Sequence, residues 1–135
     1  MLKVELKFSE IFHIYVQELF DALSSVVSIN RIFLNLIQVK AIPDNAFRII
    51  NGRQTNLESI HLNYNGAKFG SLETVGNNAF YYLDNLKYVS IANHPISRLK
   101  AHSFDFEKSS DQTLEIHLEA TGIHGQFVEV VILIT

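Results

Sequence analysis

A recurring apolar pattern constrains this chain more than any other feature of its sequence. The pattern places aliphatic residues at positions 1, 4 and 6 of a unit, and its clear copies begin at Ile29, Leu57 and Leu86. A second element follows in each of these units, an aliphatic residue with phenylalanine five positions later: Ile42 and Phe47, Val75 and Phe80, Leu99 and Phe104. Because self-similarity at a fixed period is typical of repeat architectures, the chain is predicted to be an array of stacked units.

The alignment extends to five units, which start near positions 1, 29, 57, 86 and 113. These starts are 27 to 29 residues apart, which agrees with the period of roughly 20 to 29 residues found in leucine-rich repeats. The first unit is degenerate, with Met1, Val4 and Leu6 as its strand positions and Leu19 at its phenylalanine position. Since no unit can bury its apolar face alone, residues 1–135 are predicted to form a single domain.

The predicted fold class is α/β, in the form of a curved leucine-rich-repeat solenoid shaped like a horseshoe. Each unit contributes a short strand to a parallel concave sheet, and positions 1, 4 and 6 of that strand face a shared core. The convex segments that return the chain are expected to be irregular or short-helical. The aliphatic residue and the phenylalanine of the second element are expected to pack against the neighbouring unit.

The convex pattern from Ile42 to Phe47 and from Val75 to Phe80 resembles the extracellular leucine-rich-repeat family of animals. More narrowly, the segments 86–99 and 113–118 are similar to arthropod proteins related to the non-catalytic leucine-rich-repeat subunit of a shrimp luciferase. The resemblance implies an extracellular, secreted protein that binds a partner. The chain departs from the family because it has no cysteine and only its third unit carries asparagine at position 9, at Asn65.

The ends of the array lack the polar units that normally cover the terminal faces of a solenoid. The sequence opens inside a strand, and the convex register is lost near Gln126 and Phe127. We therefore expect a fragment without caps, whose exposed ends could self-associate. The alternative is that the uncharged segment from Val130 to Thr135 folds back as an edge strand and covers the array.

Composition excludes several classes of function. The formal net charge is −3, which argues against nucleic acid as a partner because binders of polyanions are normally basic. The absence of cysteine excludes disulfides, thiolate metal sites and a cysteine nucleophile. No apolar run approaches the roughly 20 residues of a membrane span, and the alternating start from Met1 to Phe8 is not a signal peptide.

Function is expected on the concave side, where positions 3, 5 and 7 of each strand point outward. The predicted partner-binding residues combine aromatic anchors with adaptable polar groups. They are Phe33, Asn35, His61, Asn63, Tyr88, Ser90 and His117. The alternative is an ordinary solvated sheet face, whose aromatic residues reflect strand propensity.

Metal and catalytic sites are not expected. His61 and His117 share position 5 but lie two strands apart, roughly 10 Å at the usual strand spacing, too far to share one zinc ion. Glu115 and Glu119 lie along one strand, too far apart for a glycosidase pair, and no hydrolase, zinc-protease or phosphate-loop motif occurs. His94 and His102 are expected to face solvent in a turn and a loop. No cofactor is predicted.

These observations predict a non-enzymatic module that recognises a protein partner through its concave sheet. Two other hypotheses remain open. The narrower resemblance implies a non-catalytic subunit that scaffolds an oxidising enzyme, and the absence of cysteine permits an intracellular repeat adaptor.

Overall fold

The computed structural model describes residues 5–11, 16–24, 29–36, 39–48, 56–64, 70–105, 113–121 and 127–134. This part of the chain is mostly strand, with parallel sheets and little helix. Its elements in chain order are β1 (Glu5–Ile11), α1 (Val16–Ser24), β2 (Arg31–Leu36), β3 (Ala41–Ile42), β4 (Ser59–His61), β5 (Thr74–Val75), β6 (Tyr88–His94), β7 (Arg98–Leu99), β8 (Leu114–Thr121) and β9 (Phe127–Ile134).

The larger sheet has six strands in the order β1-β2-β4-β6-β8-β9, and its first five strands are parallel to one another. The parallel sheet predicted from the sequence is thereby confirmed. Ile32 pairs with Ile60, Ile60 with Val89, and Val89 with Ile116. Each of these side chains is at most 1% exposed. Position 4 of four successive units therefore forms one buried row across the sheet.

The first strand pairs in a different register from the one that the sequence alignment predicts. Leu6 lies opposite Ile32, and Lys7 lies opposite Phe33, whereas the alignment places Leu6 opposite Leu34. The offset is two residues, and a shift of two keeps every side chain on the same face of a strand. Met1, Lys3 and Val4 lie outside the described residues.

A second, smaller sheet lies on the return side of the units and has the order β3-β5-β7. Its strands are parallel, and Ile42 pairs with Val75, which pairs with Leu99. These are the aliphatic residues of the repeated second element. Ile42 and Val75 are buried, but Leu99 on the last strand is 46% exposed.

The phenylalanines of the second element form a continuous row behind this small sheet. The ring centroids of Phe47 and Phe80 are 6.3 Å apart, and those of Phe80 and Phe104 are 6.4 Å apart. At the other end, Phe20 of α1 packs edge-on against Phe47 at 5.3 Å. Phe20, rather than the predicted Leu19, therefore takes the phenylalanine position of the first unit. Leu19 packs against the core but is only partly buried.

The turns after the small strands are fixed by asparagines in the left-handed region of the backbone. Asn45 and Asn78 occupy the same repeat position and have φ values of 53° and 54°, a conformation that asparagine tolerates better than most residues. A carboxylate oxygen of Asp44 accepts hydrogen bonds from the backbone N–H of Asn77 at 2.7 Å and from Lys100 Nζ at 2.9 Å. These two hydrogen bonds hold the pKa of the Asp44 carboxyl below its ordinary value, and the one from Lys100 has the larger effect.

The final strand reverses direction and forms the last strand of the larger sheet. β9 pairs antiparallel with β8 along its whole length, from Phe127 opposite Thr121 to Ile134 opposite Leu114. Ile132 is partly buried and packs against the core. The apolar tail therefore extends the larger sheet by one strand.

We predict that Phe80→Ala lowers the free energy of unfolding by about 3–5 kcal/mol, the usual cost of removing a buried phenyl ring. Phe80 is fully buried and touches rings on both sides. Urea unfolding followed by circular dichroism measures the change, with the exposed Ser97→Ala as the control. A cost below about 1 kcal/mol would show that the phenylalanine row does not hold the units together.

Candidate functional site

The outward face of the larger sheet is formed by positions 3, 5 and 7 of its strands. Along β2, β4, β6 and β8 these positions are exposed or half-buried, while the residues between them are buried. This alternation follows from the period of two in a strand with one solvated face. The described side chains of this outward face are Arg31, Phe33, Asn35, Ser59, His61, Asn63, Tyr88, Ser90, Ala92, Glu115, His117 and Glu119.

Four aromatic rings form a continuous row across the outward face, which we call the aromatic ladder: Phe33, His61, Tyr88 and His117. Phe33 stacks on His61 with ring centroids 4.3 Å apart and planes 7° from parallel. His61 lies 5.3 Å from Tyr88, and Tyr88 lies 4.9 Å from His117. One ring therefore comes from each of four neighbouring strands.

The first two rings of the ladder cover one another. Phe33 and His61 stack across two adjacent strands, so one face of each ring is turned toward the other. The other contacts are tilted, with ring planes 37° apart between His61 and Tyr88 and 36° apart between Tyr88 and His117. All four rings are half-buried, so each keeps part of its surface open. The arrangement is a row of half-buried rings, two of which are imidazoles.

Polar side chains flank the ladder and are held in place by their own contacts. The hydroxyl of Ser90 donates to the side-chain oxygen of Asn63 at 3.1 Å. His117 Nε2 lies 3.3 Å from a carboxylate oxygen of Glu115. Asn35 is half-buried at position 7 of β2. The structure therefore places all seven predicted partner-binding residues on one face.

Two exposed apolar residues extend this face and were missed by the sequence analysis. Val131 is 49% exposed and lies opposite His117, while Leu133 is 61% exposed and lies opposite Glu115. Residues directly opposite in an antiparallel pair point to the same side of a sheet. No sequence signal shows which side of the tail faces the core, because the run from Val130 to Ile134 is apolar at every position.

Other kinds of site find little support in the described part of the chain. No group of three or more histidine, aspartate or glutamate side chains lies together there in a way that could hold a metal ion. In the ladder, Tyr88 separates His61 from His117. The described part of the chain contains no helix that is long and apolar enough to cross a membrane.

Comparisons of the chain with protein-family models, with curated proteins and with solved structures give no match.

His94 contradicts the prediction that it faces solvent. It closes β6 at position 9 of its unit and is fully buried, whereas His102 is exposed as predicted. His94 Nδ1 accepts a hydrogen bond from the backbone N–H of Leu72 at 3.2 Å. The side chain thus ties the end of one strand to the return segment of the preceding unit. The spacing of apolar residues gave no signal for this burial, which involves a hydrogen bond to a residue 22 positions earlier in the chain.

The pocket around His94 is tight and leaves one ring nitrogen unsatisfied. A Cβ atom at position 70 would overlap the imidazole ring of His94, so Gly70 leaves the space that this ring occupies. The ring of Tyr64 lies 6.2 Å away, and Nε2 has no hydrogen-bond partner. Burial lowers the pKa of His94 to about 4 from its ordinary value of 6.5, because the charged ring cannot be solvated there.

We predict that acidification destabilises the fold through His94. Its pKa is lower in the folded chain, so the stabilisation is fully present above pH 6.5 and is lost as the pH falls through the interval toward 4. The expected loss is about 2 kcal/mol by pH 5. Urea unfolding measured at pH 7.5 and pH 5 gives this difference.

His94→Asn is the control for this pH dependence, because asparagine can still accept from the backbone N–H of Leu72 but does not titrate in this range. The variant is expected to be less stable at neutral pH, since a smaller side chain leaves a cavity. Its stability should change much less than that of the wild type between pH 7.5 and pH 5. Equal losses of stability in both proteins would show that groups other than His94 cause the acid sensitivity.

Proposed function

We propose that the chain is a leucine-rich-repeat solenoid whose larger sheet lines the concave side. Two features support this fold. The strands β2, β4, β6 and β8 pair parallel through residues that occupy the same position of the repeat. The second elements of three units also align with one another in the smaller sheet. A right-handed array with one strand per unit on each side satisfies both pairings.

We infer further that the function is non-enzymatic binding of a protein partner through the outward face. The observation that carries this inference is the aromatic ladder, which spans four strands and stays half-exposed. Aromatic side chains with amide and hydroxyl groups between them are typical of protein-binding patches, because rigid rings bury much area at a small entropic cost. Tyr88 lies at the centre, in contact with both histidines.

The orientation of the rings favours a protein over a carbohydrate. Sugars stack on aromatic faces that lie open to solvent, whereas one face of Phe33 and one face of His61 are covered by each other. Ring edges and fixed amides instead suit the backbone carbonyls and apolar side chains of a polypeptide. Because the sequence resembles an extracellular family, secreted and cell-surface proteins are the first candidates for the partner.

Charge at the ends of the outward face would guide how a partner approaches. Arg31 is exposed on β2, and Glu115 is exposed on β8. The surface thus changes from basic to acidic across the ladder, and complementary charges on a partner would fix its orientation. In this proposal the ladder contributes most of the binding affinity, and the charges at the two ends set the orientation of the partner.

We predict that Tyr88→Ala weakens binding of the partner by about tenfold to thirtyfold, the effect of removing a central aromatic contact. The biotinylated chain is used to capture proteins from an extracellular extract, and captured proteins are identified and then titrated by biolayer interferometry. Tyr81→Ala is the matched control. It removes an equal side chain from the turn that follows the second element, away from the outward face.

Support requires a captured protein that binds the wild type and Tyr81→Ala alike and loses affinity for Tyr88→Ala. Circular dichroism of the three proteins should be the same. If every captured protein binds Tyr88→Ala as tightly as the wild type, the outward face is not the binding surface and the proposal fails.

A further inference from the structure

The outer edge of β9 is the clearest open surface among the described elements. β9 is the last strand of the larger sheet, and none of the described strands pairs with its outer side. An edge strand carries a row of backbone N–H and C=O groups that can pair with another strand. The run from Val130 to Ile134 is uncharged and entirely β-branched or leucine, so neither charge nor proline blocks such pairing here.

Two of the most exposed large apolar side chains in the described part of the chain lie on β9, the last strand of the larger sheet. Val131 and Leu133 are 49% and 61% exposed. They stand two residues apart on the outward face, opposite His117 and Glu115 of β8. Neighbouring exposed apolar groups on one face indicate an interaction surface rather than ordinary scattered exposure.

We propose that two copies of this chain associate through antiparallel pairing of β9 with β9 about a two-fold axis at Ile132. In this register Val131 of one copy lies opposite Leu133 of the other, and Leu133 lies opposite Val131. Val130 likewise lies opposite Ile134. The two exposed apolar side chains of each copy therefore contact those of its partner on the outward face.

The sequence of β9 favours a second copy over an unrelated strand. The five-residue apolar run pairs completely with itself in this register, and Glu129 of each copy lies beyond the paired run. A shift of the axis by one residue to Val131 would place Glu129 opposite Leu133. A two-fold interface is closed and uses the same surface on both copies, as in most homodimers. The pairing would join the larger sheets of the two copies, because β9 is the last strand of that sheet in each.

The dimer would join two outward faces into one surface. An axis perpendicular to the sheet keeps both aromatic ladders on the same side. Two strands bury less area than a standard interface of about 1,600 Å², so the affinity is expected in the micromolar range. This inference goes beyond the proposed function and does not depend on it, because the ladder can bind a partner in either state.

The first test is the molar mass of the 135-residue chain by light scattering after size exclusion, over about 1 to 200 μM. We expect the mass to rise from that of the monomer to that of the dimer and to stop there. The double variant Val131→Lys and Leu133→Lys should remain monomeric, since the lysines of the two copies would lie opposite each other across the axis and repel. The control, Ser97→Lys with Ala101→Lys, adds the same charge at exposed positions away from β9 and should dimerise like the wild type.

The second test measures the register of the two paired β9 strands and does not require the lysine variant to fold. The chain has no cysteine, so single cysteines report only the designed pairs. Val131→Cys and Leu133→Cys proteins are mixed and oxidised mildly. The proposed register predicts that the mixed disulfide between position 131 and position 133 exceeds either homodisulfide at least severalfold, because only those two positions lie opposite each other.

The outcomes decide the proposal. A wild-type chain that stays monomeric at 200 μM, or a lysine variant that dimerises as well as its control, would overturn it. A mass that grows beyond the dimer with concentration would indicate open-ended stacking instead. Homodisulfides at position 131 equal to the mixed product would contradict the register. In each case the Tyr88→Ala assay still tests the proposed function separately.

Discussion

The alignment of equivalent positions in neighbouring strands is the constraint on which the rest of the structure depends. Ile32, Ile60, Val89 and Ile116 lie in one row and are almost completely buried. Because parallel strands in register bring each repeat position beside its own copy, the same alignment creates the phenylalanine row behind the smaller sheet. On the outward face it brings Phe33 beside His61 at position 5. Tyr88, from position 3, contacts both His61 and His117 and completes the aromatic ladder.

Each strand therefore has two roles, separated by the alternation of its side chains. Inward positions carry aliphatic residues that hold the units together, and outward positions can vary without loss of the core. His94 shows the cost of placing a titratable group on the structural side, since its burial lowers its pKa to about 4. The same separation leaves Val131 and Leu133 exposed on the outward side of β9, where they are available to a partner strand.

The sequence predicted most of this arrangement because apolar spacing determines which residues face the core. It predicted the register in which the units starting at 29, 57, 86 and 113 pair, and the face on which Tyr88 lies. It placed Leu6 opposite Leu34 rather than Ile32. The two registers differ by two residues, so Leu6 and Phe8 keep the same alternation along the strand in both. The burial of His94 and the direction of β9 were not predictable in this way, because both depend on contacts with segments distant in the sequence.

The most direct test compares Ile60→Ala with His61→Ala, neighbouring residues at the centre of the sheet on opposite faces. Ile60 is fully buried, while His61 is half-buried in the ladder. Urea unfolding at pH 7.5 should show that Ile60→Ala costs about 2–5 kcal/mol and that His61→Ala costs about 1 kcal/mol or less. Equal costs for the two substitutions would contradict the assignment of stability to one face and of binding to the other.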